Sequence, residues 1–284
     1  MSIENILCIN DIHAGNKKSI SVPDIELNEG ESEHPTQFQL GLLKIFESQL
    51  DKVFDELKGE KFAMIIGGEI IDGNSPKNVF SKKLISDQAR IAGAVLSKVT
   101  DRCDKGQLDR TYLLEGTEWH SGLGNDFDKL FADGLINSPL KLRKNKKHSH
   151  TWQEVLIEFP NGAELHGTHH FNATNIYEST AYVREWKETC FDCQRHGYKH
   201  PEILYRCHIH RWGYFNLDMH PLTKIGVFTL PGWKGLEQYP MKGLARLKPV
   251  SQHGMGLLQQ IDGKVELKPF LDTIKPYSNI REKL

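Results

Sequence analysis

The stretch Ile3-Glu4-Asn5-Ile6-Leu7-Cys8-Ile9-Asn10-Asp11-Ile12-His13 decides how the rest of the chain is read. Ile6, Leu7, Cys8 and Ile9 form a continuous apolar block, so Ile3 to Asn10 is predicted as a short buried strand. The strand runs out at Asn10, and an aspartate and a histidine follow with one residue between them. Residues two apart in extended backbone point to the same side. Asp11 and His13 could therefore reach one cation together, as one oxygen and one nitrogen ligand. Alone, an Asp or His at a strand end is more often a turn former or a surface polar residue. The reading depends on what the other strand ends carry.

Working outward, Asn16 to His34 is polar and reads as a long surface loop. Thr36 to Leu57 places Leu40, Leu43, Phe46, Leu50, Val53 and Leu57 at helical spacing, with Gly59 as the stop. Lys61 to Ile66 is a second apolar strand, ended by Gly67-Gly68. Pro76 opens a second helical stretch that runs to Val99, and Thr111 to Leu114 is a third strand. Strand, helix, strand, helix, strand is the order of βαβ units, which implies an α/β fold with a parallel sheet covered by helices.

The second half has a different texture. Trp152 to Phe159, the turn Pro160-Asn161-Gly162, and Ala163 to Gly167 predict a hairpin, and Tyr177 to Arg195 predicts a helix. Further strands are expected at Ile203–Arg206, Tyr214–Leu217, Lys224–Leu230, Gly256–Ile261 and Val265–Phe270. Asp262-Gly263 is a hairpin turn between the last two. With no repeat, low-complexity tract or linker, residues 1–284 are read as one domain holding two sheets.

Composition narrows the function classes. The net charge of -1 argues against a dedicated, strongly basic nucleic-acid binder. No apolar run suggests a membrane span, and the N-terminus lacks a signal pattern, so a soluble cytoplasmic protein is expected. Five cysteines fit a reducing compartment better than a disulfide framework. Seven of the 14 histidines fall in four short stretches, and clustered histidine suits a metal or proton-transfer site.

Those stretches coincide with strand ends. The second strand runs into Glu69 and Asp72, and the third into Glu118 and His120. The hairpin runs into His166, His169 and His170, and the strand after the long helix into His208 and His210. Parallel strands align their C-terminal ends along one sheet edge, where α/β ligand sites form. Five termini ending in Asp, Glu or His exceed what turn chemistry asks for and point to a metal site.

In order, the motifs are Asp11-Ile12-His13, Gly68-Glu69-Ile70-Ile71-Asp72-Gly73, Gly116-Thr117-Glu118-Trp119-His120, a strand-end histidine, and Cys207-His208-Ile209-His210. This series resembles the calcineurin-like metallophosphoesterases, and Pro231-Gly232-Trp233-Lys234-Gly235 is similar to a trailing feature of phage-associated members. The resemblance implies a double β-sheet sandwich flanked by helices, four layers in the order αββα, holding two divalent metals at the sheet edge. It implies Asp11, His13 and His210 on the first metal, Glu69 bridging, and Glu118, His169 and His208 on the second. His120 would stand beside the metals and donate to the leaving oxygen. Mn²⁺ is the first expectation, with Fe²⁺, Ni²⁺ or Zn²⁺ as alternatives. Two cations about 3.5–4 Å apart would hold a shared hydroxide that attacks phosphorus in line.

Two departures from the family pattern matter. Glu69 stands where Asp is usual, and Gly116 to His120 replaces a Gly-Asn-His with a carboxylate and one additional residue. Thr117 is the alternative match to the Asn, and His166 the alternative to the favoured His169. If Glu118 ligates, three carboxylates against two M²⁺ leave roughly +1, which suits a singly charged diester better than a monoester. The expected activity is a phosphodiesterase acting on nucleotides or nucleic-acid ends. A phosphomonoesterase and a catalytically silent scaffold of the same fold are the alternatives. Lys141, Arg143, Lys144, Lys146 and Lys147 form a basic run, either a solvated turn or a contact to nucleic-acid backbone. Trp119, Trp212 and Trp233 lie near the motifs and could stack on a base or pack in the core. Cys190 and Cys193 are read as a packed helix face rather than a zinc site.

Overall fold

Strand β1 (Asn5–Ile9) is buried along its whole length, because it is covered on both faces. Leu7 and Ile9 face one apolar cluster while Ile6 and Cys8 face another, the alternation that a period of two imposes. The computed structural model describes residues 3–28, 30–74, 84–135, 137–171, 178–235 and 251–274. The expected helix start at Pro76 and the residue Tyr177 lie outside them.

Helix α1 (Gln37–Leu57) begins at a capping box, in which Gln39 N–H donates to Thr36 Oγ1 and Thr36 N–H to Gln39 Oε1. Its buried stripe runs through Leu42, Leu43, Phe46, Leu50, Val53 and Leu57. Each such side chain stabilises by about 1.5–3 kcal/mol when fully buried. β2 (Phe62–Ile66), α2 (Ile85–Thr100) and β3 (Leu108–Leu114) follow, then short helices α3 (Glu118–Ser121) and α4 (Asp126–Gly134).

The expected strand Trp152–Phe159 divides. β4 (Thr151–Trp152) pairs with β3 in the first sheet, while β5 (Glu154–Glu158) pairs antiparallel with β6 (Glu164–Thr168) in the second. The chain changes sheets at Gln153, so one run serves both layers. Helix α5 (Glu178–His196), β7 (Ile203–Arg206), β8 (Gly213–Asn216), β9 (Ile225–Thr229), β10 (Ser251–Ile261) and β11 (Lys264–Ile274) complete the described elements. Asp262 (φ 49°) and Gly263 (φ 78°) form the two-residue turn between β10 and β11, both in the left-handed conformation of a type I′ turn.

The first sheet has the order β11-β10-β1-β2-β3-β4, parallel from β1 to β4 with an antiparallel hairpin at the other edge. The second has the order β5-β6-β7-β9-β8. Residues of α1, α2 and α4 join the outer face of the first sheet in one core, and both sheets share a second. Ala181, Tyr182 and Trp186 of α5 pack with Leu204 and Val227 of the second sheet. The result is a mixed α/β fold of four layers, helices on sheet on sheet on helix. No helix among the described residues is long and apolar enough to cross a membrane.

Candidate metal centre

The C-terminal ends of β1, β2, β3, β6 and β7 deliver their following loops to one edge. His13 N–H donates to Glu69 O (2.9 Å) and Trp233 N–H to Asp11 O (2.8 Å), so main-chain bonds tie the loops after β1 and β2 to the segment that follows β9. Gly68 (φ 82°) lets the chain turn beneath His169, since a Cβ there would lie 2.7 Å from His169 Nδ1. Gly232 admits Asp11 and His210 in the same way, at 2.8 and 2.9 Å from a would-be Cβ.

Glu69 sits at the middle, 1% exposed. Its Oε2 lies 2.9 Å from His13 Nε2 and 3.8 Å from His210 Nε2, and its Oε1 lies 3.3 Å from His169 Nε2 and 3.4 Å from His208 Nδ1. Two ligand groups share this carboxylate, Asp11-His13-Glu69-His210 and Glu69-His169-His208, and a third, His13-Asp72-His120, adjoins the first through His13. Burial opposes the Glu69 charge, yet the surrounding imidazoles hold its carboxyl well below the usual carboxylate range. A buried carboxylate that stays ionised is what a bridging position between cations requires.

The second layer of contacts fixes the imidazoles. His169 Nδ1–H donates to Gly67 O (2.6 Å), so Nε2 is the nitrogen turned toward Glu69. His13 Nδ1–H donates to Asp72 Oδ1 (3.0 Å), turning Nε2 toward Glu69 and His210. Asp72 is fully buried and also accepts from Asn16 Nδ2 (2.9 Å) and Lys234 Nζ (2.8 Å). Burial would raise its carboxyl, but the His13 hydrogen bond and the Lys234 charge hold it far below the usual range. His120 Nδ1–H donates to the Asp72 carbonyl (2.8 Å), and its ring lies edge-on to His13 at 4.6 Å. Burial first, and then the neighbouring His13, lowers the His120 pKa below its ordinary value, which favours the neutral imidazole near neutral pH.

The donor set fits divalent cations. Among the described residues, Asp11 Oδ1 and His169 Nε2 are buried atoms without a hydrogen-bond partner, and one lies in each group that shares Glu69. A carboxylate oxygen and a neutral imidazole nitrogen are both ligand types for Mn²⁺, Fe²⁺, Ni²⁺ and Zn²⁺. The residues that would hold the first cation are Asp11, His13, Glu69 and His210, and for the second Glu69, His169 and His208.

Glu118 stands elsewhere. It opens α3, is exposed, and joins none of the groups. Thr117 takes the inward place instead, its Oγ1 donating to Glu69 Oε1 at 2.6 Å. His166 faces away on β6, paired with Glu154 at 3.1 Å, and His170 is exposed beside His169. Trp233 is fully buried against Phe46 and His253, so it belongs to the core and offers no face to a base. Trp119 is 48% exposed, and Trp212 packs against the inter-sheet core. Cys190 and Cys193 are free thiols on α5. Asp72 is legible as a strand-end carboxylate but without a role, and nothing local in the sequence joins Lys234 to it across 162 residues.

No protein-family model and no curated protein matches the chain. Among solved structures it is similar to Vacuolar Protein Sorting 29 from Cryptosporidium parvum, at 12% identity and a TM-score of 0.36, covering 96% of this chain and 100% of that one. It is also similar to a phosphatase from Mycoplasma pneumoniae, at 10% identity and a TM-score of 0.41, covering 96% and 94%. A third likeness is the NAD nucleotidase of Haemophilus influenzae, at 13% identity and a TM-score of 0.35. It covers 97% of this chain and 49% of the nucleotidase, so the chain spans about half of that protein's length. Likeness at this level carries no functional argument, which rests on the site itself.

Proposed function

We propose that the chain is a dinuclear metal-dependent phosphoesterase of the calcineurin-like kind, acting first on phosphodiesters of nucleotides or nucleic-acid ends. The observation that carries this reading is the shared Glu69, flanked by two ligand groups that each contain a buried donor atom with no hydrogen-bond partner among the described residues. When bound, the two cations would polarise phosphoryl oxygens and lower the pKa of a water nucleophile. The chain's own part is positional. Asp72 aims His13 through its carboxylate and His120 through its carbonyl. His120 stands at the edge of the site with Nδ1–H committed to the Asp72 carbonyl, so the proton for the leaving oxygen is one carried on Nε2 of the protonated ring.

Diester preference is supported by Lys234, beside the first ligand group, being held by Asp72 rather than presented to a second anionic oxygen. Glu118 favours the second reading, a phosphomonoesterase. With Glu118 outside the groups, Asp11 and Glu69 against two M²⁺ leave roughly +2 rather than +1. The test is hydrolysis of bis-p-nitrophenyl phosphate and of p-nitrophenyl phosphate by metal-stripped protein refilled with Mn²⁺. Asp11→Ala and His120→Ala serve as controls. Turnover that needs Mn²⁺ and both side chains, faster on the bis ester, is expected. Faster turnover of the monoester reverses the preference, and none on either ester despite two bound ions favours a binding scaffold.

The partner we propose is nucleic acid. Arg143, Lys144, Lys146 and Lys147 are exposed on the loop between Leu142 and Thr151, which supports a backbone contact. Lys141 is occupied differently, its ammonium donating to Leu108 O. Replacing Arg143, Lys144, Lys146 and Lys147 with Ser should weaken binding to a short DNA duplex and flatten the salt dependence of that binding. An unchanged salt slope would make the loop a solvated turn.

A further inference from the structure

The segment Gly232–Gly235 crosses the first ligand group as a strap, pinned along its length. His253 Nδ1–H donates to Gly232 O (2.8 Å), Trp233 N–H to Asp11 O (2.8 Å), and Gly235 N–H to Lys18 O (2.7 Å). Between these anchors the Lys234 side chain turns inward, only 8% exposed, and its ammonium meets Asp72 Oδ1 at 2.8 Å. That oxygen is the one that receives His13 Nδ1–H. Asn16 Nδ2 holds the other oxygen, so donors on both sides fix the plane of the carboxylate.

A lysine is costly to bury unless its charge is met, and a strap on the surface could carry any side chain. Its place is explained by what lies one step further in. The Asp72 carboxylate receives His13 Nδ1–H, and the Asp72 carbonyl receives His120 Nδ1–H. One residue therefore orients a ligand of the first group and the candidate proton donor together. The second group is built differently, its His169 being aimed by the Gly67 carbonyl.

We propose that Lys234 is a positioning residue for the first metal alone: its ammonium locks Asp72 so that His13 presents Nε2 at a fixed angle beside Asp11, Glu69 and His210. This rests on the metal reading given above. A ligating imidazole held by a carboxylate that is itself held is a determinant of metal affinity, and the loss of such a support weakens metal binding about 10–100-fold.

The experiment is Mn²⁺ titration of metal-stripped protein by calorimetry, with Asp11→Ala and His208→Ala used to assign the two binding steps. Lys234→Met is expected to weaken the first step about tenfold or more, to leave the second unchanged, and to keep the thermal midpoint of the metal-free protein close to wild type. Lys234→Arg, which restores a cation toward Asp72, should recover most of the first step. Should Lys234→Met fail to fold, Lys234→Gln, polar but too short to reach Asp72 in the same way, carries the same expectation. Two steps unchanged in Lys234→Met, or both weakened alike, overturn the role of Lys234 while leaving the metal reading intact. Wild-type protein that takes up no Mn²⁺ overturns the metal reading itself, and this proposal with it.

Discussion

Asp11, His13, Glu69, His208 and His210 share a backbone feature that composition does not reveal, a positive φ between 43° and 71°. They are five of the eleven non-glycine residues with that conformation among the described residues. Each left-handed side-chain residue costs on the order of 1 kcal/mol or more, and such strain gathers where geometry matters more than stability. At this scale the sequence shows which residue types stand at the strand ends but not which way each one turns. Thr117 and Glu118 are the case in point. The carboxylate is the stronger ligand on chemical grounds, yet it opens a four-residue helix and faces out, and the hydroxyl beside it takes the inward place. Thr117→Val removes the donor to Glu69 Oε1 with little change of shape. A hydrogen bond to a charged group is worth about 1.5–3 kcal/mol. The variant should lose roughly that in urea denaturation of the metal-free protein and should alter Mn²⁺ binding at the second group. Wild-type stability and binding would mean that Thr117 only passes by.

Helix α5 is held to the second sheet by more than its apolar face. Arg206 of β7, 2% exposed, donates to Glu185 of α5 at 2.6 Å and to the His166 carbonyl at 3.1 Å. Burial pulls the guanidinium pKa down and the Glu185 charge opposes it. Removing one partner strands the other charge, which costs about 3–5 kcal/mol, whereas replacing both with apolar residues is often neutral. Glu185→Leu is therefore expected to lower the urea midpoint strongly, and Glu185→Leu with Arg206→Met to recover most of it. Equal losses in the single and double variants would show that the pair contributes little. The same neighbourhood accounts for His166. Along β6 the side chain of Leu165 enters the inter-sheet core, so alternation turns His166 to the opposite face, where it meets Glu154 and Arg206. His169 lies past the end of the strand and joins Glu69 and His208 instead. Elements with strong periodicity, β1, β2, α1, β7 and the β10–β11 hairpin, are legible from apolar spacing and turn residues alone. Helices α3 and α4 are not. They are short, separated by a left-handed Asn125, and α4 buries only Asp128, Phe131 and Ala132, too few for a helical period to stand out.

Across the whole molecule the two sheets do what no local pattern can announce, bringing residues near 11, 70, 117, 169, 209 and 234 to one edge. The loops that bring Asp, Glu and His together are readable because strand termini advertise themselves; the residues that aim those side chains are not, because Lys234 meets Asp72, and His253 meets Gly232, only through the fold. His253 also couples that edge to the stability of the whole chain. On β10, fully buried, it donates from Nδ1 to Gly232 O and accepts at Nε2 from Ser251 Oγ, a neutral ring with both nitrogens satisfied. Burial lowers its pKa to about 4, with His210 adding to the effect and the Gly232 bond opposing it. In the unfolded chain the ring titrates near the ordinary value of about 6.5. As pH falls through about 6.5 the unfolded state takes up a proton that the folded state refuses, so stability declines from there down to about pH 4 and levels off below it. The full contribution is on the order of 3 kcal/mol. His253→Asn keeps a donor toward Gly232 but cannot titrate. Urea midpoints of both proteins at pH 7.5 and pH 4.5, each without metal, should therefore show wild type losing more stability than the variant on acidification. Parallel losses would mean that His253 protonates as readily in the folded protein as in the unfolded chain.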